Sequence, residues 1–198
     1  MIATMSDAPL TGTVALLSDA PLEELIGVVE VLAQEGVANL SLPVDSASLE
    51  ELVALYGQRI RIGVHGAAKA PATLATQGAD FILPDFVTPD IATIAEALAL
   101  ACYATAMTPT EVATALTMPV TGVQLRPAEV VGPPMAEHLR ELGLIDRTIP
   151  RGGLIPFTAK QWLSAGAPAV CVGRHLIGDA LKGGDLAALR DRCRNLRN

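Results

Sequence analysis

The stretch Thr13–Asp19, TVALLSD, followed by Pro21–Gly36, PLEELIGVVEVLAQEG, sets the pattern that the rest of the chain follows. The first run is apolar and of strand length, which predicts a buried β-strand. The second has helical period, with proline in its first turn, two glutamates near its positive end, and a glycine after its last turn. The two runs together predict a strand followed by a helix.

The same strand-helix unit recurs along the rest of the chain. The later pairs are ANLSLPV and SLEELVALYG, RIRIGVHG and PATLATQG, DFILPD and TPDIATIAEA, LALACYATA and TPTEVATALTM, GVQLRPAE and PPMAEHLRELG, LIDRTIPRGG and FTAKQWLSAG, and PAVCVGRH and DLAALRDRCRN. Eight pairs predict a single-domain α/β protein, a (β/α)₈ TIM barrel over residues 11–198, rather than an open doubly wound sheet. The fifth pair has the weakest pattern. Residues 1–10 are predicted to be a flexible N-terminus.

The composition limits the possible partners. The 198 residues are 51% hydrophobic and 3% aromatic, which suits one aliphatic core. A net charge of −7 leaves no broad basic surface, so we expect no nucleic acid and no membrane as partner. Three widely spaced cysteines, Cys102, Cys171 and Cys193, predict reduced and mostly buried thiols. The N-terminal residues lack the pattern of a secretory signal, so a cytoplasmic location is predicted.

The residues that close the predicted strands are the candidates for a functional site, because ligands of such barrels bind where strands end and helices begin. They are Asp45, His65, Asp85, Gln124, Arg126, Glu129, Arg151, Gly152, Gly153, Arg174 and His175. In the predicted strand Val123–Glu129, alternation places Gln124 and Arg126 on one face. That face is expected to look into the barrel.

The glycines after the last two strands suggest an anion site. Gly152, Gly153 and Gly173 lie where barrels commonly hold a phosphate on backbone N–H groups. Arg151 and Arg174 would add charge-assisted hydrogen bonds. This pattern predicts that the ligand is a small anionic metabolite. The alternative is that the glycines only permit tight turns, while the arginines are solvated or fill the pocket.

His65, His175, Asp45 and Asp85 suggest a second kind of chemistry, since histidine with carboxylates forms divalent-metal sites or acid–base pairs. Their spacing matches no known ligand motif, so no metal or other cofactor is predicted. Hydrogen-bonded rim residues are the alternative. Glu129 is either a functional carboxylate or a stabilising charge at the start of the following helix.

Short motifs in several elements together resemble one enzyme family. They are EGV at 35–37, GADFI at 78–82, PAE at 127–129, GGL at 152–154 and VCVG at 170–173. In this order they are similar to the class I aldolases that cleave 2-keto-3-deoxy-6-phosphogluconate (KDPG) and 4-hydroxy-2-oxoglutarate (KHG). The resemblance implies a TIM barrel, a homotrimer or other homo-oligomer, and a Schiff base between a sixth-strand lysine and a 2-keto acid. It also implies a second-strand glutamate that moves protons.

The sequence departs from that family at the positions that carry the chemistry. The lysine position is Gln124, which has no basic amine, and Arg126 stays protonated, so neither can be the nucleophile. The family glutamate aligns with Ser41, and a family arginine that holds a substrate anion aligns with Asp45. Lys69 is the lysine nearest to the predicted active face, but all three lysines are expected to be solvated.

Three functions stay open. The first, which we favour, is an aldolase-like barrel protein that has lost Schiff-base chemistry and binds a small anionic metabolite, either a phosphate or a carboxylate. The second is a carbon–carbon lyase or isomerase that acts on a keto acid through His65, Asp45 or Asp85, with or without a metal. The third is a non-catalytic oligomeric interaction protein. Resemblance to an aldolase does not decide whether the chain is an enzyme.

Overall fold

The computed structural model describes residues 8–67 and 70–197, where strands and helices alternate. The strands are β1 (Gly12–Leu16), β2 (Asn39–Pro43), β3 (Arg61–Gly66), β4 (Phe81–Pro84), β5 (Ala101–Ala106), β6 (Gly122–Leu125), β7 (Thr148–Pro150) and β8 (Ala169–Val172). The helices are α1 (Leu22–Gln34), α2 (Leu49–Tyr56), α3 (Pro71–Thr76), α4 (Pro89–Ala97), α5 (Pro109–Ala115), α6 (Ala128–Val131), α7 (Met135–Glu141), α8 (Pro156–Ser164), α9 (Arg174–Ile177) and α10 (Leu186–Arg197). None of the helices in these two ranges has the length and apolar character that crossing a bilayer requires.

The eight strands form one parallel barrel. Each strand from β1 to β7 pairs with its neighbours in sequence, and β1 also pairs with β8. A main-chain bridge between Arg151 and Cys171 joins the β7 side to β8. The predicted single-domain (β/α)₈ TIM barrel is therefore confirmed, including its weakest pair, β5 and α5.

Apolar side chains fill two separate regions. The larger lies between the barrel wall and the surrounding helices and includes Trp162, which is fully buried. The smaller fills the inside of the barrel and includes Phe81, Tyr103 and Ile149. Gly63 on β3 makes room for this interior, because a Cβ there would lie 2.5 Å from Cδ2 of Phe81. The barrel is therefore a packed core, and only its ends are available to a ligand.

The segment before β1 packs against the N-terminal end of the barrel. Leu10 is fully buried, and its backbone N–H donates a hydrogen bond to Tyr103 Oη at 2.7 Å. Arg61 Nη1 donates to the carbonyl oxygen of Ala8 at 2.9 Å. Residues 8–10 of the segment that was predicted to be flexible therefore contact the barrel, and Leu10 is part of its apolar interior. Residues 1–7 lie outside the described part.

Candidate functional site

Strand β6 carries Gln124 into the barrel but is shorter than predicted. Gln124 is fully buried. The strand ends at Leu125, and the chain passes through Arg126 and Pro127 into the short helix α6. Proline lacks the N–H that a continued strand would use, which explains the early end. Arg126 lies at the C-terminal ends of the strands, where it forms an ion pair with Asp85 and keeps a 40% exposed side chain.

The Gln124 side chain is held by hydrogen bonds on both sides of its amide. Nε2 donates to the carbonyl oxygens of Pro84 at 2.5 Å and Tyr103 at 3.1 Å. Oε1 accepts from Nη1 of Arg151 at 2.6 Å, and the same Nη1 donates to the carbonyl oxygen of Leu83 at 3.1 Å. Both amide protons and the amide oxygen are therefore engaged, and Gln124 is a structural link between three strands and Arg151.

Ser41 and His65 form a second hydrogen-bonded pair at the same end of the barrel. Ser41 Oγ lies 2.9 Å from His65 Nδ1, and Ser41 is fully buried. Burial is the largest cause that lowers the pKa of His65 from 6.5 to about 4. The positive charge of Arg151 acts in the same direction, while Asp85 opposes it. The imidazole of His65 is therefore neutral at pH 7.

We call these six side chains the mouth cluster: Gln124, Arg151, Ser41, His65, Arg126 and Asp85. Strands β2, β3, β4, β6 and the end of β7 each bring at least one of them to the C-terminal end of the barrel. Asp45, which was predicted to take part in ligand binding, lies in the exposed turn after β2. The cluster is mostly a network of side chains that bond to one another.

A separate cleft of about 380 Å³ opens beside β1, β7 and β8. We call it the β7–β8 cleft, and its walls are Leu16, Glu129, Gly152, Gly153, Leu154, Cys171, Gly173, Arg174 and His175. The structure thus brings together the three predicted glycines with Arg174, His175 and Glu129. Arg151 was predicted to belong to this group, but its guanidinium turns into the mouth cluster instead.

The wall of the cleft requires glycine at position 153. Gly153 has a φ of +64°, and the carboxylate of Glu129 lies directly against it, where a Cβ would overlap Oε2. Glu129 is in the first turn of α6 and is exposed. Its backbone N–H donates to the carbonyl oxygen of Gly152 at 3.2 Å. Glu129 therefore places a carboxylate on the wall of a cleft that also contains Arg174.

Most of the other lysines and cysteines lie away from these two regions. Lys160 lies on the outer helix α8 and Lys182 is exposed, while Lys69 falls outside the described residues. Cys171 lines the cleft, and burial raises its pKa to about 12, so it remains a thiol. Cys102 and Cys193 are also buried, as predicted. In residues 8–67 and 70–197, no three His, Cys, Asp or Glu side chains converge in a way that could hold a metal ion.

Sequence reasoning missed the inward direction of Arg151 and the contribution of Leu16 to the cleft. The alternation of side chains along a strand, which has a period of two residues, could have predicted both. Ile149 and Val14 point into the barrel interior. Arg151 and Leu16 each follow one of these residues by two positions, so the same alternation predicts that they point to the inner side.

A closed barrel of eight parallel strands with its polar side chains at the C-terminal strand ends defines the class of TIM-barrel proteins that use this end for ligands. Within that class, the family model of KDPG and KHG aldolase matches residues 3–191. The chain therefore belongs to the KDPG/KHG aldolase family. No curated protein sequence is significantly similar to it.

Solved structures share the fold of this chain. A native KDPGal structure has a TM-score of 0.83 at 21% identity, covering 98% of this chain and 96% of that one. A 4-hydroxy-2-oxoglutarate aldolase from TTHB1 has a TM-score of 0.79 at 26% identity, with 93% and 92% covered. The KDPG aldolase of Legionella pneumophila has a TM-score of 0.77 at 16% identity, with 98% and 96% covered.

Proposed function

We propose that this chain is a cytoplasmic aldolase-fold protein that does not form a Schiff base and that binds a small anionic metabolite in the β7–β8 cleft. The observation that carries the proposal is the state of Gln124, which stands at the lysine position of the family and has its amide fully engaged. Attack on a ketone requires a neutral primary amine, which neither Gln124 nor its partner Arg151 can supply. Lys160 and Lys182 lie outside the barrel.

The chemistry of the cleft supports an anionic ligand. Gly152, Gly153 and Gly173 leave the main chain accessible, and Arg174 adds a guanidinium. A volume of about 380 Å³ is large enough for a metabolite of a few carbon atoms with one anionic group. A KDPG aldolase of Zymomonas mobilis, with a TM-score of 0.75 at 18% identity, has been solved with 3-phosphoglycerate. We therefore propose a phosphorylated or carboxylated metabolite as the ligand.

Glu129 makes the cleft selective. Its carboxylate lies against Gly153 and repels an anion placed next to it. A hydroxyl group on the ligand would instead donate a hydrogen bond to Glu129. The proposed ligand therefore carries its anionic group toward Arg174 and a hydroxyl toward Glu129.

Calorimetric titration with inorganic phosphate and with 3-phosphoglycerate tests this function. We expect both to bind the wild-type protein, with 3-phosphoglycerate the tighter ligand because of its hydroxyl group. Arg174→Gln should weaken both at least tenfold. Arg59→Gln, which removes one positive charge at the opposite end of the barrel, should leave binding unchanged. Failure of both ligands to bind the wild-type protein would exclude phosphate recognition in the cleft.

A second candidate function is supported by the Ser41–His65 hydrogen bond. A neutral imidazole close to Asp85 and two arginines is an arrangement that a lyase or isomerase acting on a keto acid would use for proton transfer. Turnover of 2-keto acids, followed by NMR with and without added Mg²⁺ or Mn²⁺, tests this candidate. Activity that disappears in His65→Gln would establish it, and no turnover under any of these conditions would reject it.

We also propose that the chain assembles as a homotrimer. A designed protein cage built by fusing symmetric oligomeric domains contains a similar fold, with a TM-score of 0.81 at 20% identity. We propose that assembly covers the side chains of Phe86, Val130 and Phe157, which are each more than 60% exposed in the single chain. Light scattering should give three times the chain mass of 20.5 kDa. A trimer that binds no small molecule would favour the non-catalytic interaction function.

A further inference from the structure

The part of the chain that forms helices α3, α4 and α5 differs in charge from the part that follows it. Residues 70–125 include five acidic side chains and no Lys, Arg or His. Residues 126–198 contain 11 of the 14 Lys and Arg residues of the chain. One side of the barrel therefore has no cation of its own from residues 70–125, while the cations are concentrated in the part after it.

Helix α4 presents apolar side chains to the outside. Ile94 is 44% exposed and Leu98 is 41% exposed. The two residues are four positions apart, so they are neighbours on one side of the helix. Ala97 is also exposed and lies between them in sequence. We call Ile94, Ala97 and Leu98 the α4 face.

Threonines on α4 and on its two neighbouring helices have their hydroxyl protons engaged. Thr93 on α4 and Thr76 on α3 each donate from Oγ1 at 2.9 Å, and Thr114 on α5 donates at 2.8 Å. The acceptor is always the carbonyl oxygen four residues earlier in the same helix. A threonine has one hydroxyl proton, so these side chains keep no donor for water or for a partner. This side of the barrel therefore loses little when water is removed from it.

Two exposed carboxylates belong to the same helix. Asp90 lies in the first turn of α4, where the helix dipole stabilises a negative charge. Glu96 lies near the other end, where the dipole disfavours a negative charge, and the last turn of α4 contains no basic residue. A cation supplied by a partner would therefore stabilise Glu96.

A second exposed apolar surface lies in the part of the chain that carries the cations. Val130 on α6 is 65% exposed and Phe157 on α8 is 66% exposed. Lys160 is on the same helix as Phe157, and Arg140 is on α7. We call Val130, Arg140, Phe157 and Lys160 the α6–α8 face. This part of the surface has carboxylates too, such as Glu137, but unlike the α4 face it can supply cations.

We propose that the α4 face of one copy of the chain docks on the α6–α8 face of a second copy. The inference rests on the homotrimer proposed above and specifies the surfaces that form it. A cyclic trimer requires contact between two different faces, whereas a face that contacts itself closes a dimer. Charge opposes the pairing of two α4 faces, because Asp90 and Glu96 of both copies would share an interface to which residues 70–125 bring no cation.

Light scattering of two variants tests the proposal. Ile94→Arg places a charge in the α4 face, and Phe157→Arg places one in the α6–α8 face. We expect each variant alone to have the mass of one chain, 20.5 kDa, under conditions in which the wild type has three. Leu55→Arg, at a 58% exposed position on α2, is the control and should keep the wild-type mass. If Ile94→Arg does not fold, Ala97→Arg replaces it.

An equimolar mixture of the two variants tests whether the two faces contact each other. Ile94→Arg keeps an intact α6–α8 face, and Phe157→Arg keeps an intact α4 face. The mixture can therefore form one contact, and we expect the mass of two chains. A mixture that stays at the mass of one chain would overturn the proposal, as would either variant that keeps the mass of three chains.

The wild-type mass separates this inference from the homotrimer itself. Three chains in the wild type and in both variants would leave the homotrimer standing and overturn the two docking faces. A wild type of one chain would contradict both proposals. A wild-type dimer that Ile94→Arg breaks and Phe157→Arg does not would mean that the α4 face pairs with itself, which would also overturn contact between different faces.

Discussion

The mouth cluster and the β7–β8 cleft lie at the same end of one barrel and are built in opposite ways. The mouth cluster consists of side chains that satisfy one another, with Gln124 and Arg151 at its centre. The cleft consists of glycines and accessible main chain, with Arg174 at its edge. Under the proposed function, this difference separates two roles: Gln124 and Arg151 hold the barrel together, and the cleft receives the ligand.

The two regions therefore respond to substitution in different ways. A change in the mouth cluster breaks buried hydrogen bonds and should appear first in the free energy of unfolding. A change in the cleft alters the space and charge available to a ligand and should appear in affinity. Four experiments distinguish the two regions, beginning with the one for which we expect the greatest change.

Gln124→Leu should give the largest loss of stability. Leucine cannot replace the bonds to Pro84, Tyr103 and Arg151, and it leaves the guanidinium with one partner fewer. We expect the free energy of unfolding to fall by about 3 kcal/mol, because buried polar groups lose their partners. Urea denaturation measures the change. Gln58→Leu, at an exposed turn, is the control, and an equal effect of the two variants would contradict a structural role for Gln124.

Gly153→Ala should affect both stability and binding. The backbone φ of +64° strains an alanine, and its Cβ would also displace Glu129. Gly143 is a matched control, since its φ is +68° and no atom lies within 4 Å of a Cβ built there. We expect a loss of about 2 kcal/mol for Gly153→Ala and about 1 kcal/mol for Gly143→Ala, since strain is common to both. Only Gly153→Ala should weaken phosphate binding.

Protonation of His65 should make the protein less stable in mild acid. Its folded pKa of about 4 lies below its unfolded value of 6.5, so the unfolded chain binds a proton first as the pH falls. The stability contributed by the neutral ring is complete above pH 6.5 and is lost as the pH falls toward 4. Because the ring is half-buried, solvent screening limits the effect to about 1 kcal/mol.

Urea denaturation at several pH values measures this contribution as a difference between proteins. The wild type should lose more stability than His65→Gln between pH 6.5 and pH 4. Comparing the two proteins removes the effect of the carboxylates, because that effect is common to both. His138→Gln, on the exposed face of α7, should follow the wild type. Parallel curves for the wild type and His65→Gln would show that the folded protein does not hold this ring neutral.

Glu129→Gln should have the smallest effect and should act in the opposite direction. Removing the carboxylate beside Gly153 removes repulsion from the cleft, so inorganic phosphate should bind about threefold more tightly, as expected for one partly screened charge. Glu137→Gln, on the exposed side of α7, should leave affinity unchanged. Weaker phosphate binding in Glu129→Gln would mean that the carboxylate helps to hold the ligand.

The fold was predictable from the sequence because each element carries its own periodicity. The apolar runs, together with the prolines and glycines that mark the ends of elements, predicted eight strand-helix pairs, and the structure contains them. Boundaries were less predictable: the strand at Gln124 ends at Leu125, because Pro127 interrupts the ladder two residues later. The buried position of Leu10 could not be recognised either, since one leucine outside a periodic segment gives no pattern.

The candidate site was only partly predictable, because its members come from distant parts of the chain. The three glycines, Arg174 and His175 do converge, as their strand-end positions indicated. Arg151 does not join them, since the alternation of β7 turns its side chain inward. The Ser41–His65 contact depends on the register between β2 and β3, in which Ser41 pairs with Gly63, and no pattern within either strand specifies that register.

The proposal that this family member forms no Schiff base can be tested by trapping. The protein is incubated with pyruvate and sodium borohydride and its intact mass is measured, beside a family aldolase that retains its lysine. Our account predicts a mass increase in that aldolase and none in this protein. A stable adduct on this chain, mapped to any lysine, would contradict the account.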